Sequence, residues 1–132
     1  MKIGKNVWIS KYVYIDENHP ECITIGDNST IGIRTSIISH TYFGEPRKSN
    51  PNKIIIGKNV YIGPHCLILP NVIIGDGSVI KGGTVVNRSV PPQTMWGIPP
   101  AEPLARVNIP LTPETSYDDF LKGLRPLRKK IN

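Results

Sequence analysis

Ile56-Gly57-Lys58-Asn59-Val60-Tyr61-Ile62-Gly63-Pro64-His65-Cys66-Leu67-Ile68-Leu69-Pro70-Asn71-Val72-Ile73-Ile74-Gly75-Asp76-Gly77-Ser78-Val79-Ile80-Lys81-Gly82-Gly83-Thr84-Val85-Val86 decides the fold. An aliphatic residue returns every six positions: Ile56, Ile62, Ile68, Ile74, Ile80 and Val86. The same frame appears earlier as Ile3, Ile9, Ile15 and as Ile25, Ile31, Ile37. Gly often follows the aliphatic, as in Ile25-Gly26, Ile31-Gly32, Ile56-Gly57 and Ile62-Gly63. A period of six matches no α-helix, whose period is 3.6, and the β-branched and glycine content opposes helix. Repeats of this kind read as a solenoid, with a β-sandwich as the structural alternative.

Each hexapeptide has an internal logic. Position 1 faces inward. Position 5 holds small or modest residues that also pack inside: Val7, Val13, Ser29, Thr35, Val60, Cys66, Val72, Ser78 and Thr84. Position 4 is often Asn or Gly (Asn6, Asn18, Asn28, Asn59, Asn71, Gly77, Gly83), residues that tolerate a left-handed backbone at a corner. Three strands and three corners predict a triangular coil of 18 residues, with Ile56 stacked on Ile74 and Ile62 on Ile80, roughly 4.8 Å apart. Position 6 points outward yet holds Trp8, Tyr14, Tyr61, Leu67, Ile73, Val79 and Val85, an apolar stripe that predicts self-association with threefold symmetry.

Breaks fall at residues 17–22 and 41–53. The second is a polar corner loop, the kind of excursion from a rigid scaffold that carries function. Pro91-Pro92 is read as the end of the ladder. Beyond it a short helix is expected at Tyr117–Lys122, capped by Ser116 with Asp119 three residues on and closed by Gly123. The domain reading is a β-helix over 1–106 and a tail over 107–132.

Composition narrows the function classes. The chain has 132 residues, 39% hydrophobic and 20% charged, within the range of one folded domain. No run of 18 apolar residues predicts a membrane span, and Met1-Lys2-Ile3-Gly4 opens no signal peptide. Cytoplasmic residence is the expectation, with Cys22 and Cys66 read as reduced thiols. The net charge of +6 owes five cations to the tail: Lys122, Arg125, Arg128, Lys129 and Lys130. Without interleaved aromatics this is read as a solvated tail, not a nucleic-acid site.

The 56–86 array, with Val79-Ile80-Lys81-Gly82-Gly83-Thr84-Val85-Val86 and the later Gly97-Ile98-Pro99-Pro100-Ala101, resembles the hexapeptide-repeat acyltransferases. Among them it looks most like the maltose, galactoside and nodulation-type O-acetyltransferases. The resemblance implies an all-β fold, a left-handed parallel β-helix with a corner loop and a short helical tail. That handedness departs from the usual right-handed crossover. It also implies a homotrimer with active sites between subunits, acetyl-CoA as donor, no metal, and a saccharide or amino-sugar acceptor.

Site residues follow from the same resemblance. His40, closing Ile37-Ile38-Ser39-His40 and opening the corner loop, matches the catalytic base. An imidazole suits that role because it titrates near neutrality. Tyr61 stands where relatives carry Trp near the pantetheine. Gly82 matches a small residue whose backbone faces the cofactor, with Gly83 and Thr84 in the same turn. Asn87-Arg88 replaces a Thr-Lys pair, Arg88 keeping a cation for phosphate, and Arg106 lies near a terminal basic position. His65 is a corner residue on a different edge, and His19 is an exposed residue of the first break.

Departures leave the acceptor open. The sequence begins directly in the coil, shows no match to the family's acceptor-binding Asn, and carries an extra tail from Val107. Asp16, Glu17 and Glu45 are the nearest carboxylates to the presumed site in sequence, available to orient His40 or the acceptor or else simply solvated. Two other readings share the fold. One is a non-catalytic scaffold. The other is a zinc hydratase of the γ-carbonic anhydrase type, which needs two histidines five residues apart; His19, His40 and His65 do not provide them.

Overall fold

The computed structural model describes residues 1–40, 52–98 and 103–127. The chain forms two compact units, Met1–Ile98 and Pro99–Asn132.

The first unit is the expected coil. Its strands are Lys2–Ile3 (β1), Trp8–Ile9 (β2), Tyr14–Ile15 (β3), Ile23–Ile25 (β4), Thr30–Ile31 (β5), Ser36–Ile37 (β6), Ile54–Ile56 (β7), Tyr61–Ile62 (β8), Leu67–Ile68 (β9), Val72–Ile74 (β10), Val79–Ile80 (β11), Val85–Val86 (β12) and Met95–Trp96 (β13). They stack into three parallel sheets ordered β1-β4-β7-β10, β2-β5-β8-β11-β13 and β3-β6-β9-β12. Ile56 pairs with Ile74 and Ile62 with Ile80, as the period requires. The two breaks lengthen the lower coils, so Ile3 stacks on Ile25 and Ile25 on Ile56.

The inward column of isoleucines is the core. Ile25, Ile31, Ile37, Ile56, Ile62, Ile68, Ile74, Ile80 and Val86 are all buried. Each contributes about 1.5–3 kcal/mol by leaving water. Ile3 and Ile9 share the register but stay exposed, because the first coil has a neighbour on one side alone. The hydroxyls buried at position 5 link successive coils. Ser29 Oγ donates to Gly57 O (2.7 Å) and accepts from Val60 N (3.1 Å). Thr35 Oγ1 repeats this with Gly63 O and Cys66 N, and Ser78 Oγ with Pro91 O and Thr94 N. Burial pushes the Cys66 thiol up and keeps it protonated.

Glycine at position 2 is a matter of space. A Cβ on Gly26 would sit 2.6 Å from Gly57 C, and one on Gly32 2.5 Å from Gly63 C. The backbones of successive corners touch there. The corners between the β1 and β2 columns form a first edge of the prism, where Asn6, Asn28, Asn59, Gly77 and Gln93 adopt positive φ. The second edge, between the β2 and β3 columns, has Tyr12, Arg34, His65 and Gly83 in the same conformation. On the third edge Asn52 and Asn71 adopt it. Asn71 Nδ2 donates to Asn52 Oδ1 (3.4 Å).

Four expectations change. Asn18 is not a left-handed corner; it sits in the first break, where its N–H donates to Asp16 Oδ1. Pro91-Pro92 does not end the ladder. Both prolines occupy a corner, where no strand N–H is needed, and β13 adds a further rung on β11. Of the loop expected at 41–53, residues 41–51 lie outside the described residues, and Asn52 is already back in the coil.

The fourth change concerns the second unit. The helix α1 runs over Tyr117–Gly123, and Ser116 Oγ caps it by accepting from Asp119 N (3.1 Å). Gly123 does not close it. Gly123 is helical and buried, and a Cβ there would meet Ile109 Cγ1 at 2.7 Å; Leu124, in extended conformation, is the C-cap. Sequence reasoning missed the antiparallel pair that flanks the helix, Ala105–Val107 (β14) with Leu124–Pro126 (β15). Among the described residues no helix is long and apolar enough to cross a membrane.

Candidate active site on the third edge

The third edge brings together two residues that are far apart in the chain. Asp16 follows β3, and His40 lies three residues beyond β6. Because Tyr14 pairs with Ser36 and Ile15 with Ile37, Asp16 is carried directly beneath the Ser39-His40 segment. Asp16 N donates to Ile37 O (3.0 Å), continuing the ladder past the strand ends.

Asp16 is buried, not a solvated acid, and both carboxylate oxygens are engaged. Oδ1 accepts from Asn18 N (2.9 Å). Oδ2 accepts from Ser39 N (2.8 Å) and pairs with His40 Nδ1. Burial alone would push this carboxyl up. The hydrogen bonds from Asn18 N–H, the His40 ring and Ser39 N–H outweigh burial and hold it below the usual carboxylate range. An ionised Asp16 takes the Nδ1 proton as its hydrogen-bond donor. The His40 tautomer is thereby fixed, and Nε2 carries the lone pair. Asn18 Nδ2 lies 3.5 Å from the same Nδ1 and is a packing neighbour, since that nitrogen already serves Asp16. Nε2 has no protein partner among the described residues.

The first break supports this pair from the other side. Pro20–Cys22 folds as a 3-10 turn, with Cys22 N donating to His19 O (3.1 Å). Buried Ser39 donates from Oγ to the same carbonyl (2.9 Å) while its N–H holds Asp16. His19 is only partly exposed, and its Nδ1 meets Glu21 Oε1 at 3.2 Å. Ser39 and the 3-10 turn are the supports that sequence reasoning missed. Their signal was the short polar break, whose length hides which residues it aligns.

The other candidates lie elsewhere. Asn87 and Arg88 are exposed on the third edge, with the Arg88 guanidinium over the Trp96 ring (5.1 Å to its centroid). Tyr61 is half exposed on the β2-β5-β8-β11-β13 face, between Thr30 and Val79. Gly82 and Gly83 lie on the second edge, as does His65 at its corner. Gly83 has φ +74 and open space where a side chain would project. Thr84 points inward; its Oγ1 donates to Lys81 O (2.7 Å). Arg106 belongs to the second unit, in β14. Glu17 is exposed, and Glu45 lies outside the described residues. Within one copy, therefore, the base and the glycine corner occupy different edges. Among the described residues no three of His, Cys, Asp and Glu converge as a metal site.

Comparison with known proteins adds chemistry to this geometry. Residues 53–88 match the bacterial transferase hexapeptide family model of six repeats. YvoF of Bacillus subtilis (strain 168), provisionally named an acetyltransferase, is 41% identical over 91 residues, which are 69% of this chain and 52% of that protein. Galactoside O-acetyltransferase of Escherichia coli (strain K12) is 34% identical over 114 residues, 80% of this chain and 56% of that protein. A hexapeptide-repeat acetyltransferase of Vibrio cholerae O1 biovar eltor, solved in complex with acetyl-coenzyme A, superposes with a TM-score of 0.57 at 34% identity, covering 68% of this chain and 51% of that one. The fold is the left-handed parallel β-helix of such proteins. The chain spans about half the length of these relatives.

Proposed function

Since the chain belongs to the hexapeptide-repeat acyltransferases, we propose that it transfers an acetyl group from acetyl-coenzyme A to a hydroxyl or amine of a saccharide, with His40 as general base. One observation carries this reading: the buried carboxylate of Asp16 holds His40 by Nδ1 and leaves Nε2 as the proton acceptor. Asp16 is the positioning residue. It fixes the ring and stabilises the imidazolium that forms.

His40 Nε2 takes the proton as the acceptor's oxygen or nitrogen forms its bond to the thioester carbonyl carbon. The imidazolium then returns that proton to the departing thiolate as the carbon–sulfur bond breaks. Such a base contributes typically 10²–10⁴-fold to the rate. The residues proposed for the donor are Tyr61, Gly82 and Gly83 along the pantetheine and Asn87 and Arg88 toward the phosphates. The cationic head of Arg88 and the open corner at Gly83 suit those roles. Placing the base and the Gly82-Gly83 corner on separate edges supports a homotrimer, in which the third edge of one copy meets the second edge of the next.

Coenzyme A release, followed with acetyl-CoA and a panel of sugars and amino sugars, tests the proposal. His40→Ala should lower acceptor-dependent release at least roughly 100-fold. Equal release from the variant would remove His40 as the base. A wild type that binds no coenzyme A would remove the acetyl-transfer reading altogether.

A further inference from the structure

The two smooth edges of the prism differ in a way the coil does not require. On the first edge the left-handed corners are Asn6, Asn28, Asn59 and Gly77, residues that take this conformation readily, with Gln93 (φ 54) at the last coil. Its preceding corner positions alternate Lys5, Asp27, Lys58 and Asp76, and the two carboxylates accept from Lys5 N (2.7 Å) and Lys58 N (2.8 Å). Charge is balanced there, and only the last corner, Gln93, places a longer side chain in that conformation.

On the second edge the equivalent corners are Tyr12 (φ 61), Arg34 (φ 60) and His65 (φ 57). Tyr and Arg are disfavoured in this conformation, which His adopts more readily, and Tyr12 and Arg34 stacked in one column concentrate backbone strain of the kind found at functional sites. Within one copy the three side chains are exposed, on the edge that the proposed trimer turns toward the third edge of its neighbour. Arg34 N donates to Lys11 O (3.2 Å) and His65 N to Ile33 O (2.8 Å), so the three corners climb the edge one coil at a time. The Arg34 guanidinium lies over the Tyr12 ring, 4.8 Å from its centroid, which holds the fork in place. Lys11 stands beside Tyr12, and Lys81 begins the Gly82-Gly83 corner above. The corner residues of this edge, 10–12, 32–34, 63–65 and 81–83, include no Asp or Glu. Among the described residues Arg34 and Lys11 have no carboxylate partner.

A stacked guanidinium without a hydrogen-bond partner among the described residues, flanked by a second cation and an exposed aromatic, is built to grip a planar or tetrahedral oxyanion. We propose that the second edge is a binding ridge for an acidic saccharide, one bearing a phosphate or a carboxylate, with Arg34 on the acid group and Tyr12 and His65 beside the sugar. The ridge rests on the acetyl-transfer reading for the saccharide class and for naming this ligand the acceptor; binding of the oxyanion does not depend on catalysis.

The test is thermal unfolding of the full chain with no donor present, in hexose phosphates, hexuronates and the matching neutral hexoses. Wild type should gain melting temperature in a saturable way with one acidic class and not with neutral sugars. The class that works tells phosphate from carboxylate. Arg34→Asn should lose that gain, and Tyr12→Asn should weaken it. Neither variant should melt below wild type without ligand, because Asn suits the left-handed corner. No gain in wild type with any acidic sugar would overturn the proposal. So would an equal gain in Arg34→Asn, or an unliganded Arg34→Asn that melts lower or changes oligomeric state, since Arg34 would then be structural. A protein that binds acidic sugars but transfers nothing would sink the enzyme reading and leave the ridge. Transfer to neutral sugars with no acid-dependent gain would do the reverse.

Discussion

Asp16 shows how a single residue can be misread from sequence and understood from contacts. In sequence it is one of several acids near a break; in the fold both its oxygens are filled by Asn18 N–H, Ser39 N–H and the His40 ring. Its carboxyl lies below the ordinary range, against a value of about 3.9 in an unfolded chain. The ionised form therefore stabilises the fold at any pH above that unfolded value. The contribution disappears as pH falls through the lower folded value. Asp16→Asn should thus be less stable than wild type at neutral pH, and the gap should narrow in acid. Urea midpoints at pH 7 and pH 3 check this; a gap that widens in acid would contradict the assignment. By the proposed mechanism the same variant should lower acetyl transfer at least about 100-fold, with the KM for donor nearly unchanged, because it removes the group that would orient the base. The position of His40 was legible because its place after an inward aliphatic pair needs only local sequence. Its partner was one of three candidate carboxylates and could not be singled out, because the pairing depends on which coil lies on which, and the breaks conceal that register.

At the scale of strands and corners, the six-residue period was legible throughout, since burial of one column of isoleucines leaves little freedom in the stacking. What the period did not reveal was the reason for its glycines. Gly26 and Gly83 make the distinction measurable. Gly26→Ala brings a Cβ within 2.6 Å of the Gly57 backbone and must separate two coils. Gly83→Ala meets nothing within 4 Å and bears only the left-handed conformation. The first should cost about 1–3 kcal/mol or more by overpacking, the second about 1 kcal/mol. Equal losses in denaturant melts would mean that corner contact is not what selects glycine. Ser78→Ala offers a parallel check. It leaves Pro91 O and Thr94 N without their shared hydroxyl and should cost roughly 1–3 kcal/mol. The corner prolines and the β14–β15 pair escaped the sequence reading for separate reasons. Proline is harmless where the ladder has no N–H to use, and two three-residue strands carry too little pattern to register.

For the whole molecule the decisive question is whether one copy can work alone. His40 lies on the third edge and the Gly82-Gly83 corner on the second, and a rigid prism cannot fold one onto the other. In the proposed trimer each site takes its base from one copy and its donor corner from the next, so two differently disabled copies should repair each other. His40→Ala removes the proposed base. Gly83→Arg places a long side chain over the open corner, and the same edge already accommodates Arg34 at φ 60, so the coil should tolerate it. Each variant alone should be nearly inactive. Denatured together in equal amounts and refolded, they should regain about one quarter of wild-type activity, because a random trimer interface has both halves intact in about one case in four. Mixing without denaturation should give less, as far as subunits fail to exchange. If refolded mixtures recover nothing while each variant still forms trimers, base and donor corner act within one copy or not at all, and the shared-site geometry is wrong. Recovery near one quarter would tie the threefold assembly to catalysis, since no arrangement confined to one copy can generate an intact site from these two chains.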